Sequence, residues 1–300
     1  MRLETGYRNM VDVFRSAADI AKSLDTKPTA FAFWWSLYER QRERADDTNH
    51  PALLWSYGVS LVEQALIDAV CRAKGVSFPT AVRENLLGID LGAVYDELAP
   101  YEPADLLPTE PKHSTTIRHT VGLDDPLTDA DVTGERPDDV LPLALTEYVH
   151  EAGVNHFKIK LAADREVDAA RLSRIDNVLA DLDVEEDRCT VDANEGYDSA
   201  GQFKRQWEVL QTNSDCAGLF DQLVNVEQPL PRDEALTSKT QEVFTTWDDA
   251  PLIIIDESDN RIDSTGTALS HGYAGMSHKN CKGVQGHREC LSGHLLQSKR

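Results

Sequence analysis

Phe157-Lys158-Ile159-Lys160-Leu161 is the stretch on which the fold turns. Two lysines alternate with three apolar residues, so on a β-strand both lysines face one side and the apolar residues the other. Further along come Thr190-Val191-Asp192-Ala193-Asn194-Glu195, Val224-Asn225-Val226-Glu227-Gln228-Pro229 and Ile253-Ile254-Ile255-Asp256-Glu257-Ser258. The last of the set is Ser277-His278-Lys279-Asn280-Cys281-Lys282. Each is a short run that ends in a charged residue, and helix-like stretches separate them. This is the rhythm of consecutive β/α units, and it puts the charged residues at the C-terminal ends of neighbouring parallel strands.

Composition sets the outer limits. A 300-residue chain has room for one large domain, or for a small domain beside an incomplete barrel. The net charge of −22 argues against nucleic acid or an anionic membrane surface as a partner. No apolar run approaches a membrane span, and the first ten residues lack the apolar core of a signal peptide. Cys71, Cys189, Cys216, Cys281 and Cys290 are dispersed, without metal-type pairs, which points to reduced thiols and a cytoplasmic protein.

Before the first motif, Tyr7 to Leu24 has the apolar spacing of a helix, and Phe31 to Trp35 is a dense aromatic patch whose plainer reading is core. Tyr57 to Lys74 reads as a helix stopped by Gly75, with Glu63 and Asp68 solvated or structural. Residues 99–113 carry four prolines and read as a linker. The expected division is therefore a capping-like region over residues 1–110 and an incomplete barrel over 111–300. Strands are expected at 115–121, 156–161, 188–193, 223–227, 251–256 and 275–279. Helices are expected at 141–153, 164–182, 199–212, 233–247 and 264–271.

The motif series resembles the enolase superfamily, most closely its mandelate racemase/muconate lactonizing branch. The resemblance runs from about Thr115 to Val284, with a weaker echo in the helix before Gly75. In that family successive strand ends carry Lys-x-Lys, Asp-x-Asn, Glu, Asp-Glu-Ser and a second Lys, and all five stand here in order. The resemblance implies an α/β fold: a partial (β/α) TIM-type barrel with an N-terminal, mainly helical capping region. Relatives begin with a three-stranded antiparallel meander, which the first residues here do not show.

Asp192, Glu227 and Asp256 offer three hard oxygen ligands on adjacent strands, a set that suits Mg2+. Singly, each would cap the next helix or form a surface pair. Asn194, Glu195, Glu257 and Lys282 are the expected supporting residues around them. Lys160 and Lys279 are the expected acid/base pair on opposite faces of a substrate, with Lys158 beside Lys160. Removing a proton next to a carboxylate creates an enediolate, whose charge a divalent metal stabilises while lysine takes the proton. The expected function is Mg2+-dependent abstraction of a proton α to a carboxylate of a small acid. Racemisation, epimerisation, cycloisomerisation or dehydration would follow. His156 and His278 read as structural.

A complete barrel has eight β/α units, and the motif rhythm supplies six. The tail from Gln285 is polar and without a strand pattern, so the chain reads as truncated after the sixth strand. Codons exist for Gln285 to Gly293 that, one base later, spell KGIANACL, which would make the tail a frame-slip product. An open sheet edge favours homo-oligomers. Two rival readings follow: a truncated, catalytically inactive relative, and an unrelated Mg2+-dependent hydrolase using Asp192 and Asp256. The second leaves the paired lysines unexplained.

Overall fold

The computed structural model describes residues 2–284, apart from 49, 94, 140, 183, 185 and 186. The expectations for the tail after Val284, and for Cys290, lie outside the described residues. The described residues form two compact units. One comprises the chain up to His113, Asp259–Gly266 and the segment from Ser277. The other comprises Ser114–Ser258 and Thr267–Met276.

The first unit is mainly helical. Its long helices are α1 (Arg2–Ser23), α2 (Ala30–Thr48) and α3 (Ala52–Lys74). Val13 and Ala17 of α1 meet Phe31, Trp34, Leu37 and Tyr38 of α2 and Trp55 and Val59 of α3 in one buried cluster. The aromatic patch at Phe31 is thus core: the Trp34 and Tyr38 rings lie 5.6 Å apart, and those of Tyr38 and Trp55 5.1 Å. Gly58 lets α3 approach α1, since a Cβ there would lie 2.5 Å from the Val13 carbonyl oxygen. Helix α3 ends at Gly75, whose φ of +66° is open to glycine at little cost. No strand occurs in this unit among the described residues, which agrees with the absence of a meander pattern in its sequence. The expected linker 99–113 contains the helix Pro103–Leu106, at whose start Asp105 Oδ2 accepts the Glu102 N–H at 2.8 Å. Four prolines obscured it, although Pro103 sits at the helix start, where proline is favoured.

Glu63, read as solvated or structural, is buried and accepts the Val284 N–H at 2.9 Å. Lys282 and Asp259 form a buried ion pair at 3.4 Å.

The second unit is built on six parallel strands in sequential order: β1 (His119–Val121), β2 (His156–Lys160), β3 (Arg188–Asp192), β4 (Leu223–Glu227), β5 (Ile253–Ile255) and β6 (Gly275–Met276). Helices connect them in the β/α manner, and the fold is α/β with a partial barrel. Several helix ends follow local chemistry. Asp164 caps Arg165–Asp181, Ser199 caps Ala200–Gln211, and Gly153 closes Leu145–Ala152 at φ +62°. The expected helix 233–247 is two pieces, Arg232–Ala235 and Ser238–Thr245, because Thr237 caps the second. The expected strand 275–279 stops at Met276; beyond it the chain turns into a short helical turn in which Lys282 N–H bonds the Lys279 carbonyl.

The two faces of this sheet differ sharply. Phe157, Ile159, Cys189, Val191, Val226, Ile253 and Ile255 are buried in one cluster with Leu172, Ile175, Phe203 and Trp207 of the covering helices. Burying each such large side chain contributes about 1.5–3 kcal/mol. The alternate residues carry polar groups. Register aligns Thr120, Lys158, Thr190 and Asn225 in one row and Lys160, Asp192 and Glu227 in the next. A register shift after Cys189 pairs Thr190 with Asn225, leaving Val224 as the extra residue. Without that bulge Glu227 would fall out of step with Asp192.

Candidate active site

The site grows from that polar row. Lys158 Nζ reaches Glu227 Oε1 at 2.6 Å and Asp192 Oδ2 at 2.7 Å. Lys160 Nζ reaches the same Asp192 oxygen at 2.6 Å and also hydrogen bonds Asn194 Oδ1. Both lysines therefore face one side of β2, as alternation demands. Asp192 Oδ1 accepts the Asn194 N–H at 2.9 Å. Burial raises the proton affinity of Asp192, but the hydrogen bonds from Lys158 and Lys160 outweigh it and hold this carboxyl below its ordinary range.

Glu227 shifts the other way. Burial pushes its carboxyl up, the neighbouring Asp256 carboxyl pushes it further, and Lys158 only partly opposes them. Asp192, Glu227 and Asp256 are all essentially inaccessible to solvent. Glu227 Oε2 is buried without a hydrogen bond, and the Arg118 guanidinium stands 3.7 Å from it. Among the described residues no three His, Cys, Asp or Glu side chains converge as a ready metal cluster. The donor chemistry nevertheless fits a hard divalent cation: three buried carboxylates at successive strand ends repel one another, and ammonium groups now supply the positive charge.

The backbone around these acids is unusual. Ala163, Asn194, Glu195 and Gln228, which follow β2, β3 and β4, have φ of +58°, +43°, +66° and +39°. Left-handed non-glycine residues cost about 1–3 kcal/mol each and gather where surrounding contacts fix them. Here Arg232 clamps Glu195, with Nε to Oε1 at 2.9 Å, a second guanidinium nitrogen to Oε2 at 2.7 Å, and its backbone N–H to Oε1 at 2.8 Å. Glu257 Oε1 accepts from Asn194 Nδ2 at 3.4 Å. Past β2, Asp168 accepts the Ala162 N–H at 2.7 Å, and burial above all pushes its carboxyl up to about 6.

The expected residues Lys158, Lys160, Asp192, Asn194, Glu227, Asp256 and Glu257 thus lie in one unit at the ends of β2 to β5. Lys279 and Lys282 lie past β6, in the segment that belongs with the helical unit. Lys282 Nζ is engaged by Asp259 Oδ2 and, at 3.2 Å, by the Ser277 carbonyl. His156 bonds Asn155 Oδ1, and His278 is exposed. Residues not anticipated are Arg118, whose guanidinium donates to Thr190 Oγ1 at 3.0 Å, Arg232, Gln228 and Ser258. A signal existed for Arg118, which has the same strand parity as Thr120 and Lys158. Gln228 and Ser258 sit inside the quoted motifs.

A parallel sheet with charged strand ends and helix-covered backs defines an α/β-barrel class of protein. No family model matches the chain, and no curated protein matches its sequence. Solved structures do match its fold. One is a mandelate racemase/muconate lactonizing protein from Paracoccus denitrificans PD1222, complexed with magnesium. It is 15% identical, with a TM-score of 0.55, and the match covers 88% of this chain and 60% of that one. Another is an enolase from Bradyrhizobium complexed with magnesium and mandelic acid. It is 16% identical, with a TM-score of 0.54, and the match covers 86% of this chain and 59% of that one. The fold is that of the enolase-type barrel, in part, and the chain spans about three-fifths of the length of these proteins.

Proposed function

We propose that the charged end of β2 to β5 removes a proton α to the carboxylate of a small organic acid, with Mg2+ held by Asp192, Glu227 and Asp256. The observation that carries this reading is the burial of these three acids at successive strand ends, with two lysines from one strand on Asp192 and one of them also on Glu227. The bound cation would supply positive charge against the negative charge that builds on the substrate as its proton leaves. Lys160 is the base: it is the more exposed of the two lysines, 24% against 10% for the side chains. Lys158, bridging Asp192 and Glu227, holds the acids at a fixed spacing. Asn194 orients the Lys160 ammonium. Racemisation, epimerisation, cycloisomerisation and dehydration all begin from this step. The four described cysteines are free thiols, in keeping with a reducing, cytoplasmic setting, and no described helix is long and apolar enough to cross a membrane.

One observation favours a second reading, a catalytically inactive relative. Among the described strands, β1 and β6 do not pair, and the described barrel is partial.

The test combines Mg2+ titration by calorimetry with exchange of the α-proton of mandelate and of dipeptide substrates in deuterated water. Stoichiometric Mg2+ binding and exchange that Lys160→Ala reduces by at least about 100-fold support the active reading. Exchange that persists in Lys160→Ala at the wild-type rate removes Lys160 as the base. Binding without exchange for any acid tried selects the inactive relative.

A further inference from the structure

Gln228 uses every hydrogen-bonding group it has. Its backbone N–H donates to the Ile254 carbonyl at 2.9 Å, and its own carbonyl accepts the Glu195 N–H at 2.9 Å. Its side-chain Oε1 accepts the N–H groups of Asp256 at 2.7 Å and Ser258 at 3.0 Å. Its Nε2 donates to the Leu230 carbonyl and to Ser258 Oγ, both at 2.7 Å. The residue is buried and sits at φ +39°.

These six bonds join the carboxyl ends of three neighbouring strands. Glu195 follows Asp192 on β3, Gln228 follows Glu227 on β4, and Asp256 with Ser258 follows β5. Only a primary amide accepts two bonds at one end and donates two at the other. A leucine of similar size would leave the Asp256 and Ser258 N–H groups and the Leu230 carbonyl buried without partners. The left-handed turn at Gln228 is what brings its side chain back over the end of β5 while Glu227 keeps the parity of Asn225.

We propose that Gln228 is the positioning residue that fixes the spacing of Glu227 and Asp256, and so sets the affinity of this end of the sheet for a divalent cation. The inference rests on the metal reading above and adds a residue that touches no substrate and acts through the acids. It explains how Asp256 is kept beside the buried Glu227: the backbone N–H of Asp256 is tied to the neutral amide of the residue that follows Glu227, which adds no charge to the cluster.

The test uses the full chain and three proteins: wild type, Gln228→Leu and Ser258→Ala. Amide hydrogen exchange is followed at Asp256 and Ser258, and Mg2+ alone is titrated by calorimetry. In Gln228→Leu the two amides are expected to exchange at least about tenfold faster, and the Mg2+ Kd to rise about 10–100-fold, the range for lost support around metal ligands. Ser258→Ala removes one acceptor and keeps the fold; its expected rise in Kd is smaller, about threefold. A Gln228→Leu protein that loses stability but binds Mg2+ with the wild-type Kd overturns the proposal, as does unchanged exchange at Asp256. Should Gln228→Leu fail to fold, a wild-type Kd in Ser258→Ala overturns it. Should the wild type itself bind no Mg2+, the metal reading falls, and the exchange rates at Asp256 alone decide whether Gln228 ties β4 to β5.

Discussion

The two units bury charge in different ways. In the helical unit, Lys282 faces Asp259, and Glu63 is capped by a backbone N–H. Opposite charges there are matched, or the acid is tied to the main chain. In the sheet unit, Asp192 and Glu227 share Lys158, Lys160 adds a second ammonium at Asp192, a more distant arginine faces Glu227, and burial together with the neighbouring Asp256 carboxyl pushes Glu227 toward its protonated form. The first arrangement serves stability. The second stores repulsion that an added cation would relieve, and the proposed function rests on that difference.

The largest expected effect comes from breaking the crowded cluster. Lys158→Met leaves Asp192 and Glu227 buried without their shared ammonium, which should cost roughly 3–5 kcal/mol in urea unfolding. Saturating Mg2+ should restore part of that loss, because the ion replaces the missing charge; a loss indifferent to Mg2+ would place the acids outside a metal site. Lys282→Met makes the matching cut in the helical unit. It should cost about 3 kcal/mol, by the same desolvation argument, with no recovery in Mg2+. Recovery there would erase the contrast between the units.

A smaller effect separates Asp168 from both groups. Its folded carboxyl titrates at about 6, above the ordinary 3.8, because it is buried. The folded state therefore binds this proton more tightly than the unfolded state does. The contribution is fully present below about pH 4 and is lost as pH rises through about 6, amounting to up to about 3 kcal/mol. Asp168→Asn keeps an acceptor for the Ala162 N–H and removes the charge. It should flatten this part of the stability profile and stabilise the protein at pH 7 by roughly 1–3 kcal/mol, read from urea midpoints between pH 4 and 7. An unchanged profile would mean that another group carries the pH dependence. The smallest effect is expected at Glu63. Gln keeps the acceptor for Val284 N–H, so Glu63→Gln should shift stability by about 1 kcal/mol, measured in the same unfolding experiment.

Much of the sheet was legible because period two is written in the residues themselves. Phe157, Ile159, Val191 and Val226 announced a buried face, and Lys158, Lys160, Asp192 and Glu227 a polar one. Elements governed by one nearby side chain were also legible, such as the helices capped by Asp164 and Ser199 or stopped by Gly75 and Gly153. The short helix after Glu102 and the break at Thr237 were missed because proline and threonine signals permit both a loop and a helix start. Strand β6 was drawn too long, because an apolar and polar alternation cannot reveal whether the chain continues straight or turns.

The sequence by itself determined which residues could share a face, and so which acids and lysines could meet, since side-chain parity along a strand is local geometry. Tertiary structure alone decided that Asp192 is held by two lysines while Glu227 is crowded by Asp256, and that Gln228 ties three strand ends together. It also decided that Arg118 lies 3.7 Å from Glu227. Those outcomes depend on register, on the bulge between Cys189 and Thr190, and on left-handed turns at Asn194, Glu195 and Gln228. Such features are fixed by contacts between residues far apart in the chain, and no local pattern encodes them.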